Sequence, residues 1–156
     1  MEKKLMQFKK KDIFLREQEE EEEENTQSEN NESKSSSGFK DMVSILLHSQ
    51  TQVHIFHLQT KSYSEHKALQ GYYEGIDALV DGLIESYQGK YDVITQYNSV
   101  KNEDYKSNEQ VIKYFKVLDT MIEKNRKSVK ESFIQNQIDT VQELINSTVY
   151  KLRFLK

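Results

Sequence analysis

The stretch that decides the fold runs from His54 to Glu85 and reads HIFHLQTKSYSEHKALQGYYEGIDALVDGLIE. Ser62 and Glu65 form the S-x-x-E pattern of a capping box, so a helix is predicted to begin at Tyr63, with Gly89 as its stop. A rotation of about 100° per residue gathers its apolar side chains into one sector, which is the predicted core face. These are Leu69, Tyr72, Tyr73, Ile76, Leu79, Val80, Leu83 and Tyr87.

A polar row borders that core face. It consists of His66, Gln70, Glu74, Asp77, Asp81 and Glu85, which together cover only about 100° of the helix circumference. Carboxylates with one imidazole suit a metal ion with mixed nitrogen and oxygen ligands. The same pattern is typical of a solvated helix face, because Asp and Glu are mostly exposed. Spacing alone therefore leaves both interpretations open.

The first helix is predicted over residues 39–60. Met42, Val43, Leu46, Val53 and Phe56 form its apolar stripe. By the same rotation count His57 lies in that stripe, His54 at its edge and His48 on the opposite, solvent side. Since the turn 59–62 is short, the first two helices are predicted to be antiparallel neighbours.

Two more helices are predicted after a long connection. The patterns Ser107–Gln110 and Ser128–Glu131 are two further capping boxes, which place helices at about 108–127 and 129–155. The connection over residues 89–106 is too long for a simple hairpin, and Asp92–Tyr97 is predicted as a short helix inside it. Tight links on both sides of a long crossover are the connectivity of ferritin-like bundles. The fold class is therefore all-α, a ferritin-like four-helix bundle over residues 38–156.

Composition and charge narrow the function. The 156 residues contain no cysteine, which excludes disulfides and thiolate metal sites, and no proline, which favours long helices. Residues 1–37 hold 7 basic and 11 acidic residues, and this excess equals the whole formal charge of −4. A neutral domain makes nucleic acid an unexpected partner, and the run Glu19–Glu24 would repel phosphates from the basic N-terminus.

The N-terminal segment is predicted to be a disordered tail, residues 1–37, basic at first and acidic after that. Its basic part, with interleaved apolar residues, reads either as a frayed terminus or as a peptide that docks on a protein partner. No apolar run approaches a membrane span, and the first residues contain no secretory h-region. We therefore expect a cytoplasmic protein without a membrane contact.

The segment HLQTKSYSEHKALQGYYEGIDALVDGLIE resembles the first-helix end and second helix of the Dps proteins, or mini-ferritins. The last helix, IDTVQELINSTVYKLRFL, is similar to theirs as well, and the resemblance covers about residues 39–156. Short ferritin-like proteins of tailed phages look closer still, which would place the protein in a host cytoplasm or a virion.

The resemblance implies a function, a cofactor and an assembly. It implies Fe as the bound metal and ferroxidation, with protection from oxidative damage, as the activity. The ligands it implies are His66, Asp81 and Glu85, together with His57, or with His54 if the alignment is ungapped. In that family the histidines and the acidic pair come from neighbouring subunits. The resemblance therefore implies a homo-oligomer, a dimer or larger, up to a twelve-subunit shell.

Departures from the family pattern support an alternative. Gln70 occupies the position of an Asp ligand, and Leu58 that of a tryptophan. No Glu-x-x-His sequence occurs, which excludes the di-iron bundle pattern. The alternative is a catalytically inactive ferritin-like structural or assembly module, such as a virion-associated protein.

Overall fold

The helix predicted from the quoted stretch is present as α2, Tyr63–Lys90, in the computed structural model, which describes residues 37–155. Its N-cap is Ser62, whose Oγ accepts a hydrogen bond from the Glu65 backbone amide at 3.4 Å. The predicted start at Tyr63 is therefore confirmed. The predicted stop is wrong, since the helix continues through Gly89 to Lys90.

The described part of the chain contains three further helices and no strand. They are α1 over residues 37–59, α3 Asn108–Arg126 and α4 Ser132–Phe154. The all-α class with four helices is thus confirmed. Within residues 37–155 no helix has the length and apolar character needed to cross a membrane. The predicted tail, apart from Ser37, lies outside the described residues.

Ring contacts at both ends of α1 and α2 show that these helices are antiparallel. Phe39 at the start of α1 stacks on Tyr87 near the end of α2, with ring centroids 3.7 Å apart. His57 near the end of α1 stacks on His66 near the start of α2. The link between them, residues 60–62, is as short as predicted.

The last helix packs against both α2 and α3. Near the end of α2, Ser86 accepts a hydrogen bond from Gln137 of α4, and nearer its middle Gly75 faces Leu144. The order of these pairs makes α4 antiparallel to α2. The short link 127–131 then makes α3 antiparallel to α4, so α1 and α4 run one way while α2 and α3 run the other.

The connection between α2 and α3, residues 91–107, contains no helix, so the helix predicted at Asp92–Tyr97 is wrong. Two backbone amides at its start donate to side-chain oxygens and not to the carbonyls of a helix. The Val93 amide donates to Asp92 Oδ1 at 2.7 Å, and the Ile94 amide donates to Gln88 Oε1 at 2.9 Å. Gln96 has φ 59°, which a right-handed helix does not allow.

The start of α4 also differs from the prediction. Ser128 does not cap it, because its Oγ donates to the Asn125 carbonyl at 2.6 Å and so closes the end of α3. The N-cap is Glu131, with no side-chain cap bond, and the helix begins at Ser132. A capping motif near a helix end can serve the helix before it, which sequence spacing alone does not reveal.

Most of the predicted core is confirmed. All five residues of the α1 stripe are buried, as are Leu69, Tyr72, Ile76, Val80, Leu83 and Tyr87 of α2. Tyr73 and Leu79 are only partly buried and pack against this core. Leu155, inside the helix predicted at about 129–155, is 50% exposed because it lies just beyond the end of α4.

We expect Gly71→Ala and Gly82→Ala to stabilise the domain. An added Cβ meets no atom within 4 Å at either position, and Ala is a better helix former by up to ~1 kcal/mol. Each variant should raise the free energy of unfolding by about 0.5–1 kcal/mol, as measured by urea denaturation. Gly75→Ala is the matched comparison, with a smaller gain, because its Cβ would lie 3.4 Å from Leu144 Cδ2. A loss of stability at Gly71 would contradict this view of an open helix face.

Candidate metal centre

Two histidines meet where α1 ends and α2 begins. His57 lies on the buried stripe of α1, as predicted, and is 6% exposed. His66 lies near the start of α2 and is half-buried. Their rings stack with centroids 3.6 Å apart and planes 25° from parallel.

Each of these histidines is held by the backbone of the other. His57 Nδ1 lies 2.9 Å from the His66 carbonyl oxygen, and His66 Nδ1 lies 3.0 Å from the His57 carbonyl oxygen. A carbonyl oxygen only accepts, so both Nδ1 atoms donate. In the neutral ring this leaves the Nε2 lone pair free of a proton. A carbonyl on Nδ1 is also the usual support of a histidine that binds a metal through Nε2.

The stacking limits what the pair can bind. An imidazole lone pair lies in the plane of its ring, and zinc, for example, lies about 2.0–2.1 Å from the coordinating nitrogen. Two nearly parallel planes this far apart cannot both contain one ion at that distance. In this arrangement each ring therefore offers a separate ligand atom, and shared binding would require one ring to turn.

His54 and Tyr73 complete this group, which we call the histidine corner: His54, His57, His66 and Tyr73. His54 is exposed and stacks on Tyr73 with centroids 4.2 Å apart, while its own centroid lies 5.8 Å from that of His57. Tyr73 also makes an edge contact with His57, at 5.0 Å. The structure thus places His57, and not His54, directly against His66.

The acidic pair lies elsewhere on the same helix. Asp81 and Glu85 are both exposed on α2, one turn apart, so their carboxylates share one face. They follow His66 by 15 and 19 residues, which at 1.5 Å per residue is about 22 and 28 Å along the helix. Across residues 37–155, no group of three or more His, Asp or Glu side chains is placed to hold a metal ion. The predicted site between subunits is a different arrangement and stays a prediction.

Gln70, where the Dps proteins have an acidic ligand, is engaged along its own helix. Its Oε1 accepts from Lys67 Nζ at 2.6 Å, and its Nε2 donates to Glu74 Oε1 at 2.7 Å. The side chain therefore joins Lys67 to Glu74 of the polar row. It carries no charge to offer a cation.

Glu65, predicted as the second residue of a capping box, is also a buried acid. It is 4% exposed, and its Oε2 accepts from Thr60 Oγ1 at 2.7 Å and from Tyr105 hydroxyl at 2.9 Å. Its Oε1 is buried without a hydrogen-bond partner among the residues of known placement. The capping box is only half formed, because the Ser62 amide donates to Thr60 Oγ1 rather than to Glu65. A signal was available, since Glu65 precedes Leu69 by one turn on the core face.

Two tyrosines have hydroxyl groups that are buried in the interior. Burial raises the pKa of the Tyr72 and Tyr114 hydroxyls well above the usual range, so neither ionises near neutral pH. Tyr72 hydroxyl donates to Ser49 Oγ at 2.8 Å, since the Ser49 proton is used on the Leu46 carbonyl. This agrees with the prediction that Tyr72 is part of the core.

Comparison with known proteins supplies a family. The chain matches no curated protein and no solved structure significantly. Residues 57–152 match the sequence profile of a family described as of unknown function, DUF5856. The match begins at His57 and extends into the last turn of α4, so it contains His66, Asp81 and Glu85 but not His54. Since it spans more than half of the chain, the protein belongs to this family of unknown function, DUF5856.

Proposed function

We propose that this protein is a ferritin-like metal-binding protein that holds Fe(II) between two copies of the chain. The observation that carries the proposal is the paired bonding of His57 and His66, in which each Nδ1 is fixed by a backbone carbonyl. Such support fixes ring orientation and leaves Nε2 as the ligand atom. Helix order and direction, with the long connection between α2 and α3, also suit a ferritin-like bundle.

A second copy is needed because the two halves of the donor set are too far apart in one chain. His66 and Asp81 are separated by about 22 Å along α2, whereas ligands of one ion lie within a few ångströms of each other. The acidic pair is exposed and so is open to a neighbouring copy. In a symmetric dimer the histidines of each copy would face Asp81 and Glu85 of the other, and two sites would form together.

The donor set suits iron chemistry. Imidazole and carboxylate ligands with open positions are typical of non-haem iron sites. Iron is the substrate in this proposal. Two Fe(II) ions each give one electron to a peroxide, which takes up two protons and leaves as two waters. The protein's part is to hold Fe(II) at its imidazole and carboxylate ligands, where the oxidant can reach it.

One observation favours a second candidate, a ferritin-like structural or assembly module without catalysis. Gln70 provides no carboxylate, and its amide is bonded on both sides, to Lys67 and Glu74. In this case the polar row of α2 is a solvated or subunit-contacting face. Its partners would be other proteins of an assembly, with the acidic tail as an interaction arm.

The proposal is tested by anaerobic Fe(II) titration followed by addition of peroxide. We expect Fe(II) to raise the melting temperature by an amount that grows with the logarithm of its concentration relative to Kd, and ferric absorbance to rise after peroxide is added. Gln70→Asp should strengthen the stabilisation, since it restores a carboxylate. If Fe(II), Zn(II) and Mn(II) all leave the melting temperature unchanged, the structural module is the better account.

We also expect a homo-oligomer in solution, because the proposed site takes ligands from two copies. Light scattering at micromolar concentration should give the mass of a dimer or of a larger closed assembly, with twelve subunits as the upper expectation. A monomer under these conditions would end both the shell and the site between subunits.

A further inference from the structure

The middle of the connection between α2 and α3 lies on the outside of α1 and is held there by polar groups. Along residues 91–107, Ile94, Tyr105 and Ser107 are half-buried, and within residues 95–103 Tyr97 and Val100 are 41% and 39% exposed. Its attachment therefore combines polar bonds with the partial cover of two side chains that do not belong to the core. We call residues 95–103 the strap.

Asn98 and Asn102 fasten the strap to the first half of α1. The Asn98 amide donates to Ser44 Oγ at 3.0 Å, and its side chain donates to Asp41 Oδ1 at 2.7 Å. One turn along α1, His48 Nε2 lies 2.8 Å from Asn102 Oδ1. His48, predicted to lie on the solvent side of the first helix, is thus half-buried beneath the strap.

Gln52 of α1 holds Glu103, the last residue of the strap, by two hydrogen bonds. Its Oε1 accepts from the Glu103 amide at 2.7 Å, and its Nε2 donates to the Glu103 carbonyl at 2.7 Å. Gln59 makes a similar pair just beyond the strap, with the Tyr105 amide at 2.6 Å and Asp104 Oδ1 at 2.9 Å. Every α1 side chain in these bonds is polar, so water can replace each bond that opening breaks.

The two ends of the connection are fixed more firmly than its middle. At the first end, Gln88 of α2 accepts from the Ile94 amide. At the other, Tyr105 donates to the buried Glu65, and its ring packs edge-on to Phe56 with centroids 6.5 Å apart. Inside the strap, Gln96 has φ 59°, a left-handed conformation that is costly for a residue with a side chain and is relieved on release.

We infer that the strap opens from α1 as one unit while the four helices stay packed, and that Gln52 is its main latch. Opening breaks polar bonds and separates only the partly covered surfaces of Tyr97 and Val100, which lie outside the core, so it is a local transition below global unfolding. It uncovers Ser44 and Gln52, which are 3% and 2% exposed beneath the strap. A buried polar row on α1 thereby becomes accessible.

Limited digestion of the full chain with trypsin tests this inference, because Lys101 lies in the strap. We expect native protein to be cut after Lys101 and the fragments to remain together on size exclusion with unchanged helical circular dichroism. Gln52→Ala should raise the rate of this cut roughly tenfold, because two hydrogen bonds to Glu103 are lost. Gln59→Ala, a change at an exposed position, should raise it in the same direction.

The control is Gln142→Ala on α4, which removes a glutamine bonded to Asp119 at 3.0 Å, away from the strap. It should leave the Lys101 rate unchanged. Cleavage after Lys116 of α3 reports global unfolding in the same sample. The inference is overturned if neither Gln52→Ala nor Gln59→Ala speeds the Lys101 cut. It is equally overturned if Lys101 and Lys116 are always cut in step.

Discussion

Phe115→Ala should lower the free energy of unfolding by about 3–5 kcal/mol, the range for removal of a buried phenylalanine ring. Phe115 is fully buried on α3 and meets Tyr72 of α2 edge-on, with ring centroids 4.8 Å apart. This contact joins two helices that run in the same direction, so the loss weakens the centre of the bundle. The measurement is urea denaturation followed by circular dichroism at 222 nm.

Phe133→Ala is the matched control for this change. Phe133 is the second residue of α4 and is 50% exposed, so its removal should cost less than about 1 kcal/mol. Comparable losses at Phe115 and Phe133 would mean that the interior is not where this fold places it. The other explanation of such a result would be that a second molecule covers Phe133.

Helical periodicity was enough to predict the four helices and most of their core, because burial of one face dominates helix stability. It could not predict the conformation of residues 91–107, because hydrogen bonds to α1 side chains that are distant in sequence determine the course of that segment. Ser44, Gln52 and Gln59 look like ordinary surface residues in the sequence. Their partners, Asn98, Glu103 and Tyr105, lie about 50 residues away.

For the candidate site, the same rotation count placed His57 inward and His54 at the edge, and the structure agrees. What it could not supply is the paired bonding of His57 with His66, because this depends on how closely α1 and α2 approach at their shared turn. The helical rotation count also places Glu65 on the core face, so its burial could have been predicted. The capping motif, however, already gives this residue a role at the surface.

The association of His66 with Asp81 can be tested without knowing the size of the assembly. Chains with His66→Ala and chains with Asp81→Ala should each lose the stabilisation by Fe(II), because each lacks one half of every site. A co-refolded 1:1 mixture should recover about a quarter of the sites, since a site forms wherever an intact histidine donor meets an intact acidic donor. Anaerobic Fe(II) titration of the two variants and of the mixture measures this recovery.

Asp77→Ala is the control for the acidic partner, because Asp77 is equally exposed and lies one turn before Asp81 on α2. It should leave Fe(II) binding intact alone and in mixtures. A site within one chain predicts no recovery in the mixture, because no chain there carries both halves. Recovery to about a quarter therefore requires two copies at one ion. Iron binding that survives both single changes would instead move the site away from His66 and Asp81.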